Sequence, residues 1–243
     1  MEFSKRKDVA MGKVDLSRKG SVDQLIQNLI TYINNKEEYF TTSSCSGRIV
    51  LLSDTSLSST SGKTTTKKHC RWFLTSHQNV ASSKVISTLN TLDEPSKIKF
   101  EPFIVHVQCS TLEHAQLLLK AAIAAGFRNS GITMNKQCKH PMVAVRGTLC
   151  LEVPLTGHGG HRLTSDEYVD HVVAIANSKM VDNELRINKF EKHLHTSLDC
   201  EITTKKSKKL TPVKEFKTTD GIVCKAVKSN EIDCVSDLCS LFI

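Results

Sequence analysis

The stretch YFTTSSCSGRIVLL, residues 39–52, decides the fold class. Tyr, Phe and Thr open the run from Tyr39 to Ser44, Ile, Val and Leu fill Arg48 to Leu52, and Gly47 lies between them. That is the composition of two β-strands joined by a tight connection. Upstream, Val22, Leu25, Ile26, Leu29, Ile30 and Ile33 recur at helical spacing, and Ser21 with Gln24 has the form of a capping box, so a helix is predicted from Ser21. Downstream, Ser53 to Lys68 is rich in Ser, Thr and Lys with almost nothing apolar, which predicts a mobile loop near 53–68.

Further strands are predicted at Trp72 to Ser76, at Ile98 to Gln108 with a break at Pro102, and near Gly131 to Met134, Met142 to Arg146 and Leu151 to Pro154. A short helix fits Ser83 to Leu89, and the Ala/Leu run Leu112 to Ala125 is a helix closed by Gly126. Thr164 and Glu167 open a long helix that continues to about His195. Strands gather in runs instead of alternating with helices, so the reading is α+β, a mixed or antiparallel sheet flanked by helices. A Rossmann-type fold would carry its glycine-rich turn after the first strand, whereas the one dense glycine cluster, GHGGH at 157–161, precedes the last long helix. One catalytic domain over 1–197 and a C-terminal tail over 198–243, disordered or only locally structured, follow from this pattern.

Composition narrows the function classes. The chain has 243 residues, 33 Lys and Arg against 25 Asp and Glu, and a net charge of +8, which favours an anionic partner such as RNA. No apolar run is long enough to cross a bilayer, no basic amphipathic helix with an aromatic face appears, and the N-terminus has no apolar leader core. A soluble cytoplasmic protein without membrane association is therefore expected. Nine Cys, an odd number with no C-x-x-C pair, argue for reduced thiols and against a disulfide framework or a common structural zinc site.

Four constellations can carry chemistry. Ser43 to Arg48 can present backbone N–H groups, hydroxyls and one guanidinium to a polar ligand, with Cys45 as a nucleophile or, on the plainer reading, an inert buried thiol. Trp72 and His77 offer a stacking surface and a group that titrates near neutrality. His106 alternates with Val105 and Val107 and so faces away from them. Arg128 and Ser130, at a helix-to-strand junction, can contact phosphate or cap structure. His158 with His161, and His69 with Cys70, have no partner at ligand spacing, so no metal is expected.

At these segments the sequence resembles the tRNA wybutosine-synthesizing protein 3 family. The matching stretches are DLSRKGSVD at 15–23, YFTTSSCSGRI at 39–49, Trp72 with His77, FEPFIVHVQC at 100–109, GFRNSGIT at 126–133 and LEVPL at 151–155, with no match after about Thr196. The resemblance implies an S-adenosylmethionine-dependent methyltransferase of non-Rossmann fold. Its implied substrate is phenylalanine tRNA, at the modified guanosine 3′ of the anticodon, with the methyl group going to the N-4 ring nitrogen on the way to wybutosine. Placed on this chain, it makes Ser44, Cys45, Gly47, Arg48, Ser130 and Gly131 cofactor-binding, Trp72 and Arg128 substrate-binding, and His77 and His106 the candidate bases. Other wybutosine-pathway enzymes are candidate partners. Two rivals stand beside this reading: a noncatalytic tRNA-binding module, and a thiol or zinc enzyme built on Cys45 and the histidines.

Overall fold

In a computed structural model the described residues are 2–12, 20–53, 70–134 and 139–208, with 200–208 described by their backbone. They form α1 (Phe3–Met11), α2 (Gln27–Asn35), β1 (Tyr39–Cys45), β2 (Arg48–Ser53), β3 (Arg71–Ser76), α3 (Ser82–Leu89), β4 (Ser96–Glu101), β5 (Ile104–Cys109), α4 (Leu112–Ala124), β6 (Gly131–Thr133), β7 (Met142–Arg146), β8 (Leu151–Thr156) and α5 (Asp166–Lys208). The fold is α+β with two antiparallel sheets, ordered β1-β5-β7-β6 and β3-β2-β4-β8. One compact unit spans Met1–Thr204 and a second Lys205–Ile243, of which only the end of α5 is described. The expected loop near 53–68 lies outside the described residues apart from Ser53, which ends β2, and the expected tail does so beyond Lys208.

The tight connection at Ser46 and Gly47 does not make a hairpin: β1 pairs with β5 while β2 pairs with β3 and β4. The chain instead passes from one sheet into the other. It does so again between β4 and β5, at Pro102 and Phe103, and between β7 and β8 after Gly147. The order β1-β5-β7 in one sheet matches β2-β4-β8 in the other, so three bent ribbons run side by side across one seam. Close backbone approach at this seam needs glycine. A Cβ on Gly47, whose φ is +99°, would stand 2.8 Å from Asn183 Nδ2 and 3.1 Å from the Glu101 carbonyl oxygen, and one on Gly147 would stand 2.7 Å from Pro102 Cβ.

α5 spans both halves of the core. Val169, Val172, Val173, Ala176 and Met180 pack with Ile49, Leu51, Ile98 and Phe100 of the second sheet. Ile187, Phe190, Leu194 and Leu198 pack with Val105, Val107, Val143 and the helices α2 and α4 on the first. Between these apolar sets sits Asn183, 1% exposed, which donates from Nδ2 to the Ser46 carbonyl at 2.7 Å and accepts the Phe103 N–H at 2.8 Å. It thus satisfies backbone groups of two ribbons that the bend removes from the strand ladders.

Local details depart from the sequence expectation in physical ways. Ser21 does not cap a helix; a 3-10 turn at Gln24–Ile26 follows Asp23, and Val22 and Leu25 are exposed. Helix α1, which the apolar pattern did not signal, buries none of its residues and lies against β1 through Phe3, whose ring is 5.4 Å from that of Phe40. α4 ends as expected, with Gly126 at φ +97° and the Phe127 N–H returning to the Ala122 carbonyl at 2.9 Å.

Truncating Asn183 to Ala leaves a buried carbonyl and a buried N–H without partners, each worth about 1–3 kcal/mol. N183A should therefore lose about 2–5 kcal/mol in urea unfolding, well beyond the few tenths expected at an exposed position of the same helix such as Asn188.

Candidate active site

Where the first ribbon bends, three loops meet. Asp23, 7% exposed, accepts the Ser46 backbone N–H at 2.8 Å and the Ser46 hydroxyl at 3.0 Å through one carboxylate oxygen, Oδ2. His77, just past the end of β3, brings Nδ1 to 2.8 Å from the Gly47 carbonyl oxygen and to 3.4 Å from Asp23 Oδ2. A carbonyl only accepts, so Nδ1 carries a proton, and in the neutral ring Nε2 is the nitrogen with the free lone pair. α5 fixes this loop too, because Asn177 accepts the Val80 N–H and donates to the Val80 carbonyl, both at 2.9 Å. A cleft of about 840 Å³ opens here, lined among others by Asp23, Ser46, Ser76, His77, Met180 and Glu184.

Cys45 joins this cluster: its sulfur, a carboxylate oxygen of Asp23 and a ring nitrogen of His77 lie within 4.8 Å of one another. Among the described residues this is the group whose spacing suits a metal. Within it, Asp23 Oδ2 accepts from Ser46 and Nδ1 of His77 meets the Gly47 carbonyl. Burial pushes the Cys45 thiol up, outweighing the backbone hydrogen bond at Gly47 and the nearby Arg48 charge, which disfavours the thiolate form.

Alternation along β1 puts Ser43 on the same side as Cys45, about 7 Å away. Ser43 is in register with His106 of β5, and its hydroxyl lies 2.9 Å from His106 Nδ1. The row continues through Ala144 of β7 to Gly131 of β6. These residues lie on the face of the first sheet opposite the α2 and α4 core. Burial first, and the Arg146 charge second, hold the His106 imidazole below its ordinary value. The Ser130 hydroxyl accepts the Arg146 backbone N–H at 3.1 Å, and Arg128 is exposed in the turn before it.

The fold therefore gathers Cys45, Gly47 and His77 at the seam and strings His106 and Gly131 along the adjoining sheet face. Ser44 is set apart, paired opposite Val105 on the side facing the helices. Arg48 points from the second sheet, giving Nε and a terminal nitrogen to Glu101 Oε2, each at 2.7 Å, while its guanidinium carbon stands 4.6 Å over the Trp72 ring. Arg48 is thus held between the Glu101 carboxylate and the face of the Trp72 ring. Five residues used here escaped the sequence reading: Asp23, Arg146, Asn177, Asn183 and Glu184. Asp23 ends the quoted stretch 15–23 and was the one with a signal, as an acid beside a supposed cap.

Residues 5–196 match the family model described as Methyltransferase TYW3. The chain is 46% identical over 209 residues to the mouse protein named tRNA wybutosine-synthesizing protein 3 homolog, covering 86% of this chain and 79% of that one. The human protein of the same name is 44% identical over 203 residues, covering 84% and 76%. Among solved structures, the PH1069 protein from Pyrococcus horikoshii superposes with a TM-score of 0.69 at 30% identity, covering 79% of this chain and 96% of that chain. No helix among the described residues is long and apolar enough to cross a membrane.

Two predictions follow from the electrostatics. Burial also pushes Cys109 up to about 12. Iodoacetamide at pH 8 should therefore alkylate exposed Cys150 fastest in the folded protein, half-buried Cys45 more slowly and Cys109 only on unfolding, as mass mapping will report. His106 binds its proton more weakly when folded than when unfolded. Its contribution to stability is present above the ordinary value of 6.5 and is lost as pH falls from there through the depressed one, so H106N should flatten the decline in urea midpoint within that window.

Proposed function

Because this chain belongs to the Methyltransferase TYW3 family, we propose that the seam cluster and the adjoining sheet face form the pocket in which His77 acts as general base for methylation of a tRNA base. The protein is an enzyme, a methyltransferase of tRNA wybutosine synthesis. The finer assignment is to phenylalanine tRNA, at the N-4 nitrogen of the tricyclic guanosine derivative 3′ of the anticodon, within the cytoplasm and alongside other enzymes of that pathway. The catalytic domain expected over 1–197 is extended in this reading to Thr204, since Leu198 packs into its core, and the remaining C-terminal segment lies outside the chemistry.

The observation that carries the choice of base is the hydrogen bond from His77 Nδ1 to the Gly47 carbonyl at 2.8 Å. It leaves Nε2 as the basic nitrogen of a ring that is oriented before substrate arrives. His106 is less suited. Its Nδ1 partner is a hydroxyl that can donate or accept, and its basicity is lowered by burial and by Arg146. It serves as a neutral hydrogen-bonding group.

The side chains here fit S-adenosylmethionine: Arg146 offers a cation to a carboxylate, the Ser43 and Ser130 hydroxyls offer polar contacts, and Glu184 in the cleft offers a negative charge to a sulfonium. Gly47, Arg48, Ser130 and Gly131 would hold it, with Cys45 packing beside them. When bound, it supplies the electrophilic methyl group. This chain's residues align the acceptor ring, Trp72 by stacking and Arg128 by phosphate contact, and His77 removes the proton that the acceptor nitrogen releases.

The test is radiolabelled methyl transfer from S-adenosylmethionine to tRNA from a strain lacking this activity. Wild type should label phenylalanine tRNA. H77Q should lower the single-turnover rate by about 10²–10⁴-fold with tRNA affinity retained, and H106Q should chiefly raise KM. Wild-type turnover in H77Q would remove His77 from the reaction.

A further inference from the structure

We infer that Asp23 is the positioning residue for His77, an inference that rests on His77 being the base. Asp23 comes from the turn before α2 and His77 from the loop after β3, so only the folded chain joins them. The carboxylate is almost fully buried, which is costly for a charge unless hydrogen bonds compensate it. Two donors from Ser46 do so, and the same Oδ2 stands 3.4 Å from His77 Nδ1.

Two consequences follow from that arrangement. First, by holding the Ser46 N–H and hydroxyl, Asp23 fixes the peptide whose neighbour, the Gly47 carbonyl, accepts the imidazole proton. Second, its charge lies beside the ring on the side away from Nε2. As the N–CH₃ bond forms and the S–CH₃ bond breaks, with the electron pair left on sulfur, the acceptor N–H proton passes to Nε2. His77 then becomes an imidazolium with both nitrogens protonated, and Asp23 stabilises that cation. The carboxylate stays ionised throughout, and the proton leaves Nε2 to water afterwards.

The test combines a double-mutant cycle with nitrogen NMR on the full chain. In wild type, ¹⁵N–¹H correlation of the His77 ring should report the Nδ1–H tautomer; the Nε2–H tautomer would overturn the proposal without any variant being needed. D23N should lower the single-turnover methylation rate by about 100-fold or more, with KM for tRNA unchanged and the population of the Nδ1–H tautomer reduced. D23E should recover part of the rate. In an H77Q background D23N should add little, because the two residues act as one unit. An equal further loss there would make Asp23 merely structural and overturn the inference while leaving His77 as base. Wild-type activity in H77Q alone would instead remove the reading of His77, and this inference with it. Stoichiometric zinc in the purified protein, lost in D23N, would also overturn it.

Discussion

One buried asparagine, Asn183 of α5, holds the bend on which the rest of this structure depends. α5 is covered on one side by two apolar cores, and the packing of Met180 into one and Ile187 into the other fixes where along the helix Asn183 must sit. From there its amide reaches the Ser46 carbonyl and the Phe103 N–H, the two backbone groups that antiparallel pairing cannot satisfy where the ribbons turn. Asn177, nearly two turns earlier, grips both polar groups of Val80. The helix thus braces the fold and sets the loops bearing Ser46, Gly47 and His77 in place.

That bracing explains why the chemistry gathers at a seam and not at the end of a sheet. A continuous strand would present Ser46 and Gly47 to ladder partners; the bend turns the Gly47 carbonyl outward, where the His77 ring can meet it. Gly47 has room for nothing larger than hydrogen, since Asn183 and the backbone of the second ribbon close in on it. Asp23 adds a buried charge that hydrogen bonds from Ser46 keep soluble in the protein interior. The same hydrogen bonds that let a sharply bent backbone persist therefore orient an imidazole, the one that the proposed function uses as its base.

The strands and most helices were legible in sequence because β-branched runs and 3.6-residue periodicity report burial directly, as at Ile49 to Leu52 and Leu112 to Ala124. α1 was not, because a helix that buries no residue leaves no periodic trace. The start of α2 was misplaced because Asp23 serves Ser46 and not the helix, a partner 23 residues away that no local rule reveals. Gly47 and His77 stood out through the motifs that carry the family resemblance. Asn177 and Asn183 did not, since a polar residue in a long helix reads as surface until the tertiary fold buries it. Arg48 stood out in sequence as a candidate ligand contact, yet its engagement with Glu101 and Trp72 depends on cross-strand register, which only pairing sets.

The central claim, that the seam orients His77 toward the methyl acceptor, is tested most directly by a crystal structure with S-adenosylhomocysteine and an anticodon stem-loop carrying the unmethylated tricyclic base. The account predicts the acceptor nitrogen within hydrogen-bond reach of His77 Nε2, about 2.6–3.2 Å or through one water, with Nδ1 still on the Gly47 carbonyl. An acceptor nitrogen seated against His106 instead, with His77 beyond reach, would contradict it.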